Sequence, residues 1–354
     1  MGRIVAAFGD LLCTSLMPTN RQYILKSRPV GELADSDLEL RESEVRAPEA
    51  GEIQVRTTWL SMDPTIRIWM SDMPGYLPPI GLGEVVRALG AGIVEASNHP
   101  DFAPGDEVFG MLGWQTHVTA KSEEALLGKL APGVGPELAI AVLAPTSGFT
   151  AYFGLLDVTN PQPGETVVVT AAAGSVGGLV GQIAKIKGCR VIGIAGGPEK
   201  CKYVVDELGF DACIDYRNED VGAALDRLCP EGIDIDFENV GGAQLDAILL
   251  RMKLHGRISL CGMISDYNRS GEVVAGPANF AQILMRRIKI AGFIILDYIP
   301  RFAEAGPVLG QWLAEGKLKV RTYSIEGFEK LPDALRELVG GQTSKIGKMM
   351  VRVS

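Results

Sequence analysis

The sequence predicts an α/β fold in which a doubly wound parallel sheet follows a β-rich unit, and three features carry that expectation. Between residues 166 and 293, six short apolar runs recur, most of them separated by helical stretches, and repeated strand-helix alternation packs as a parallel sheet covered on both faces. A glycine-rich turn directly follows the first of those runs, where a dinucleotide site would begin. Before Pro145 the apolar runs are shorter and broken by Pro and Gly, the texture of irregular β structure.

Taken in order, residues 1–18 are mildly apolar, but Gly9 and Asp10 interrupt them and Arg3 is their single basic residue, so they fit a secretory leader poorly. They read either as an extension or as a start assigned too early. Strands are expected at 53–55, 83–86, 92–95, 107–110 and 117–120. The parallel strands are expected at 166–170, 190–195, 212–216, 233–238, 257–261 and 288–293. Helices over 177–187 and 199–208 run up to Gly188 and Gly209, residues suited to a left-handed stop. The tail adds a helix at 300–315, a strand at 320–324, a helix at 331–339 and a strand at 348–353. Those two strands exceed the six of the parallel sheet, which places the tail back in the first unit. The expected division is 1–143, 144–297 and 298–354.

A length of 354 residues suits two domains with a cleft between them. The net charge of -9, with cations scattered rather than striped, excludes the footprint of a nucleic-acid binder. No run approaches the roughly eighteen unbroken apolar residues of a membrane span. Cys13, Cys189, Cys201, Cys213, Cys229 and Cys261 are widely spaced without a C-x-x-C pair, which points to free thiols in a reducing, cytoplasmic setting.

The turn after the first parallel strand is Ala171-Ala172-Ala173-Gly174-Ser175-Val176-Gly177-Gly178, a G-x-G-x-x-G pattern with Ala172 in the first glycine place. Gly174 would admit pyrophosphate to backbone N–H groups at a helix start, and Gly177 would let that helix lie close on the sheet. An NAD site wants an acidic residue at the end of the second strand, and that place reads Ile194-Ala195-Gly196-Gly197. Lys200 follows, with Tyr216 and Arg217 after the third strand, so donors for a 2′-phosphate are present and NADP(H) is favoured. Lys200 could equally be a solvated helix residue. No metal is expected: His99, His117 and His255 stand apart from the cysteines. A Tyr-x-x-x-Lys pair after the glycine turn and a G-x-x-x-x-G-K-[ST] loop are also missing.

The chain resembles the zinc-independent medium-chain reductases that include prostaglandin reductases, plant alkenal double-bond reductases and bacterial curcumin reductases. The likeness runs from about Asn20 to Val353. It is carried by Asn20-Arg21-Gln22, Leu60-Ser61-Met62-Asp63-Pro64, the segment 148–155, the glycine turn, Glu199-Lys200-Cys201, Asn239-Val240-Gly241-Gly242 and the segment 261–268. The resemblance implies a GroES-like catalytic domain beside a Rossmann cofactor domain, a homodimer, and a small-molecule enone or enal as substrate. It places Gly174, Ser175, Val176 and Gly177 at the pyrophosphate, Lys200 and Tyr216 at the 2′-phosphate and Asn239 near the middle of the cofactor. Cys261, Ile264 and Tyr267 fall on the nicotinamide side, and Phe293 and Ile295 along another lining segment.

Two positions depart from the family pattern. Thr65 stands where a substrate-facing Tyr is common, keeping a hydroxyl but losing an aromatic wall. Lys345 stands where an Asn is common, replacing a hydrogen bond to the cofactor by a charge. The implied reaction adds hydride to the β-carbon, and charge develops on the carbonyl oxygen, where Tyr267 is the candidate donor. Tyr267 reads alternatively as a cleft-packing residue whose hydroxyl is satisfied by backbone. The competing activities are a quinone reductase of the same fold and a non-catalytic NADPH-binding protein.

Overall fold

The computed structural model describes residues 18–354 apart from 74, 132, 270, 271 and 342, so Cys13 and all but Pro18 of the expected extension lie outside the described residues. Strands β1 (Thr19–Leu25) and β2 (Leu38–Glu44) pair as an antiparallel two-stranded sheet. Reading apolar runs missed this pair because β2 is exposed and polar beyond Leu38, apart from Leu40. Strands β3 (Glu52–Ser61), β4 (Leu89–Ser97), β5 (Glu107–Met111), β6 (His117–Lys121) and β7 (Gly128–Lys129) build one antiparallel sheet. Four of the five early runs lie inside these longer strands. The run at 83–86 does not form a strand and makes a single bridge, Val85 to Ile24; Gly83, at φ +89°, breaks the extended backbone there.

Helix α1 (Thr65–Trp69) follows β3. Helix α2 (Pro136–Leu138) opens a helical stretch that widens into two π turns, separated by the extended Ala144, before α3 (Thr150–Thr159). This stretch, Pro136–Thr159, is long and apolar enough to cross a membrane, with a mean hydropathy of 1.5, but 72% of that apolar window is buried inside the protein. Its apolarity serves a core.

The second sheet contains β8 (Thr166–Val169), β9 (Arg190–Ala195), β10 (Ala212–Asp215), β11 (Ile233–Glu238), β12 (Met252–Leu260) and β13 (Lys289–Gly292). All are parallel in the order β10-β9-β8-β11-β12-β13, with the reversal point between β8 and β11. Helices α4 (Ser175–Ile186), α5 (Pro198–Lys202), α6 (Val221–Leu228), α7 (Gly242–Leu249) and α8 (Ala281–Arg286) connect these strands. Successive strand residues point to opposite faces, and the cores follow that rule. Val167 and Val169 pack with Leu179 and Ile183 of α4, while Val168 and Ile192 pack with Leu225 of α6 and Ile248 of α7.

Gly188 (φ +81°) and Gly209 (φ +75°) take the left-handed conformation at the expected helix ends. The helix expected over 199–208 forms as α5 continued without a break by a π turn, Tyr203–Glu207. Strand β12 begins earlier than expected, because His255 at φ +63° bends it and disguises its first residues as loop.

After α9 (Phe302–Ala314), β14 (Thr322–Glu326), α10 (Leu331–Val339) and β15 (Lys348–Arg352) return to the first sheet. Strand β15 lies between β14 and β3, and Leu331 and Leu335 share the core of Ile53, Val55 and Trp114. Helix α9 packs Ala305 and Leu309 against the parallel-sheet core instead, so the return begins at β14.

Candidate active site

The parallel strands end at one edge, facing the end of β3 and α1, and a cavity of about 360 Å³ opens there. Its first wall is the glycine turn. Ala171 adopts φ +50°, and its carbonyl accepts the Gly174 N–H at 2.9 Å. A Cβ on Gly177 would stand 2.5 Å from that same oxygen, so no side chain fits where α4 starts. Ala172, in the first glycine place, is fully buried with its N–H on the Ile194 carbonyl at 3.0 Å. The strained residue is therefore Ala171, one place earlier than the pattern suggests. The Ser175 hydroxyl donates to Ser147 at 3.0 Å, and the Gly347 N–H donates to the Ala173 carbonyl at 2.9 Å, fastening the tail to the turn.

The next wall follows β11 and β12. Asn239 donates its amide to the Thr170 carbonyl at 2.8 Å and its backbone N–H to the Thr170 hydroxyl at 2.7 Å. Glu238 lies beneath, accepting from Thr170 (2.8 Å), the Val240 N–H (2.6 Å) and the Gly241 N–H (2.9 Å). Burial raises its pKa and that of its buried neighbour Asp236, so this carboxyl pair favours sharing a proton. The loop after β12 is pinned to this segment: Ile264 and Ser265 donate backbone N–H groups to the Asn239 and Val240 carbonyls, each at 3.1 Å.

Tyr267 stands at the end of that loop. Its hydroxyl oxygen accepts the Met263 N–H at 3.3 Å and comes so close to Gly262 that a Cβ there would lie 2.9 Å away. The phenol proton has no acceptor among the described residues. Burial pushes the phenol up to about 12, which keeps it protonated and a donor. Cys261 is likewise pushed up to about 12 by burial and the nearby Glu238 carboxyl, so it stays a thiol rather than a nucleophile.

Gly174, Ser175, Val176, Gly177, Asn239, Cys261, Ile264, Tyr267, Phe293 and Ile295 all line the cavity, as expected for one site. Lys200 and Tyr216 do not line it; they stand beyond the ends of β9 and β10. Lys200 donates to the Thr343 carbonyl at 2.8 Å, and its pKa is lowered by burial and by Arg217. Arg217 donates to the Gly341 carbonyl at 2.9 Å and lies 6.0 Å from the Tyr216 ring centroid. A Cβ on Gly196 would meet both side chains at 2.9 Å, so the glycine pair leaves room for a cationic cluster. Lys345 is not brought to the cavity. Its ammonium lies 4.3 Å from the Tyr323 ring centroid, and the contact with that hydroxyl raises its pKa.

Two features escaped the sequence reading. The Tyr76 hydroxyl lies 2.6 Å from that of Thr65, and Tyr76 lines the cavity with it, so a loop tyrosine supplies the aromatic wall that Thr65 lacks. The sequence signal was the turn Gly75-Tyr76-Leu77-Pro78-Pro79 close behind α1. Lys348 and Asp63, both buried, also line the cavity and pair at 2.6 Å; Ser61 donates to Asp63 at 2.5 Å and Lys348 to the Met62 carbonyl at 3.2 Å. The cleft combines apolar walls (Met62, Ile68, Ile264, Phe293) with hydroxyls of Thr65, Tyr76 and Tyr267. It suits a flat apolar molecule carrying one oxygen acceptor.

Residues 21–127 match a family model described as the N-terminal domain of oxidoreductase, and residues 175–310 one described as zinc-binding dehydrogenase. The residues do not suit zinc. Among the described residues no group of three or more His, Cys, Asp or Glu is gathered to hold a metal, and Asp63 is committed to Lys348. The chain is 42% identical to the NADPH-dependent curcumin reductase of Escherichia coli (strain K12) over 341 residues, covering 95% of this chain and 97% of that protein. It is 38% identical to the 2-alkenal reductase (NADP(+)-dependent) of Nicotiana tabacum, covering 95% and 98%. Its fold is similar to that of CurA from Vibrio vulnificus solved in complex with NADPH, with a TM-score of 0.88 and 44% identity, covering 94% and 99%.

Proposed function

The chain belongs to the zinc-independent medium-chain dehydrogenases/reductases, with the curcumin, alkenal and prostaglandin reductases, and from that membership we propose that it reduces the carbon-carbon double bond of α,β-unsaturated ketones and aldehydes with NADPH. The observation that carries this reading is the phenol of Tyr267, with its oxygen held by a backbone N–H and its proton without an acceptor among the described residues, in the cavity that the glycine turn also lines.

When bound, NADPH supplies hydride to the substrate β-carbon. The turn from Gly174 to Gly177 and the start of α4 hold the pyrophosphate, while Lys200 and Tyr216 hold the 2′-phosphate, joined by Arg217. Tyr267 donates a hydrogen bond to the carbonyl oxygen as the enolate forms. Tyr76, held by Thr65, and the apolar side chains orient the unsaturated system. A proton from water at the α-carbon completes the reduction.

A spectrophotometric screen of NADPH oxidation with enals, enones, curcuminoids and quinones, with product identification, tests the activity. The saturated ketone or aldehyde is the expected product. Turnover confined to quinones would instead favour a quinone reductase of this fold, and no turnover a non-catalytic NADPH binder.

Preference for NADPH follows from the cationic cluster. In Lys200→Ala, loss of a charged contact to phosphate costs about 1.5–3 kcal/mol, so the NADPH/NADH ratio of kcat/KM should fall by one to two decades. An unchanged ratio would remove Lys200 from the phosphate site.

The proposed arrangement is residues 1–143 together with the return from β14 onward as the catalytic unit, and 144–297 with α9 as the cofactor unit, so the second boundary moves from the expected 297 to β14; the assembly is a cytoplasmic homodimer. Strand β13 lies at an edge of the parallel sheet, and Phe280 and Leu284 are exposed at the start of and within α8, the helix that precedes it, which supports pairing with a second copy. Light scattering at micromolar concentration should give twice the 37.8 kDa subunit mass.

A further inference from the structure

We propose that Cys201 and Cys213 form a reactive dithiol, a modification site that closes to an intrachain disulfide under hydroperoxides and weakens the hold on the cofactor 2′-phosphate. Cys201 lies on α5, one residue after Lys200, and Cys213 lies within β10. Their sulfurs are 3.1 Å apart, the Cys213 thiol donating toward Cys201, and both residues are partly exposed. A disulfide needs a separation of about 2.05 Å, so an approach of about 1 Å closes the bond.

The two thiols have different roles. The Cys213 hydrogen bond lowers the pKa of Cys201, while that same bond and burial raise the pKa of Cys213. Cys201 is therefore the attacking thiol and Cys213 the resolving one. The other described cysteines lack such a partner: burial pushes Cys189 and Cys229 up to about 11 and Cys261 to about 12.

The Cys201 thiolate attacks one oxygen of hydrogen peroxide, the O–O bond breaks and hydroxide leaves, giving a sulfenic acid. The Cys213 sulfur then attacks the Cys201 sulfur; the S–S bond forms, the S–O bond breaks, and water leaves with the Cys213 proton. The two sulfurs lose two electrons, and peroxide is reduced to two waters once the departing hydroxide takes up the proton that the Cys201 thiol released.

Closing the bond draws α5 toward β10. Lys200 rides on α5 and donates to the Thr343 carbonyl, while Tyr216 and Arg217 follow directly on β10, so the cationic cluster is re-spaced. This consequence rests on the reading of Lys200 and Tyr216 as the 2′-phosphate site; NADH, which has no such phosphate, should be insensitive.

The test treats the full chain with hydrogen peroxide, alkylates the remaining thiols, maps peptides by mass and measures binding of NADPH and NADH. Expected are a loss of about 2 Da, a peptide joining Cys201 to Cys213 that dithiothreitol releases, and a Kd for NADPH raised roughly three- to tenfold with NADH unchanged. Cys213→Ser should form no link and keep its NADPH affinity after treatment. Sulfinic acid at Cys201 without any link, or a link between other cysteines, would overturn the dithiol. A link that leaves both affinities unchanged overturns the effect on the cofactor. Failure of the 2′-phosphate reading shows separately, as an unchanged cofactor preference in Lys200→Ala.

Discussion

Replacing Tyr267 by Phe should lower kcat and kcat/KM on an enone together, by about ten- to a thousandfold, the upper end being the loss of an oxyanion-hole donor. The substitution removes the hydroxyl and keeps the ring, so a residue that only packs in the cleft would show little change. The hydroxyl accepts the Met263 N–H, which fixes the oxygen and leaves the proton for a substrate. Burial holds this phenol near 12. The neutral donor therefore persists below that value, and its contribution to kcat should be flat through pH 10, where an ordinary tyrosine is half ionised. Steady-state kinetics with a deuterated cofactor, to show that hydride transfer limits the rate, decides the matter. Wild-type kcat in the Phe variant would assign proton donation to the cofactor ribose hydroxyl or water.

Lys348→Met should destabilise the fold by about 3–5 kcal/mol, because it leaves the Asp63 carboxylate buried without its counter-ion. The side chains are 4% and 6% exposed, so solvent screens the pair little. The measurement is thermal unfolding of the cofactor-free protein. Adding Asp63→Asn to Lys348→Met should restore much of the loss, since the stranded charge is then gone. A single variant that melts with the wild type would mean that Ser61 alone satisfies Asp63.

The parallel sheet was legible because most of its strands contain a short apolar run rich in β-branched residues, and because Gly188 and Gly209 stop helices by a local conformational rule. The glycine turn was legible for the same reason: its function is local in sequence. What escaped depends on contacts between distant residues. Tyr76 reaches Thr65 because its loop folds back over α1, where its ring stands edge-on to Trp69 with centroids 6.5 Å apart. Lys345 keeps its charge, but Tyr323 on a neighbouring strand decides where that charge lies. Strand β2 carries polar residues on both faces and gives no alternation to read.

The placement of β15 between β14 and β3 bears on how the molecule is made. Lys348 reaches Asp63 across 285 residues of chain, while the parallel sheet is built from one uninterrupted stretch and can assemble as soon as that stretch leaves the ribosome. Until β15 arrives, one end of β3 presents unpaired backbone groups, an open template for other nascent chains. Such long-range closure is slow. The cofactor sheet can therefore be complete while β3 still lacks its β15 partner, and β15 is the strand that closes this edge.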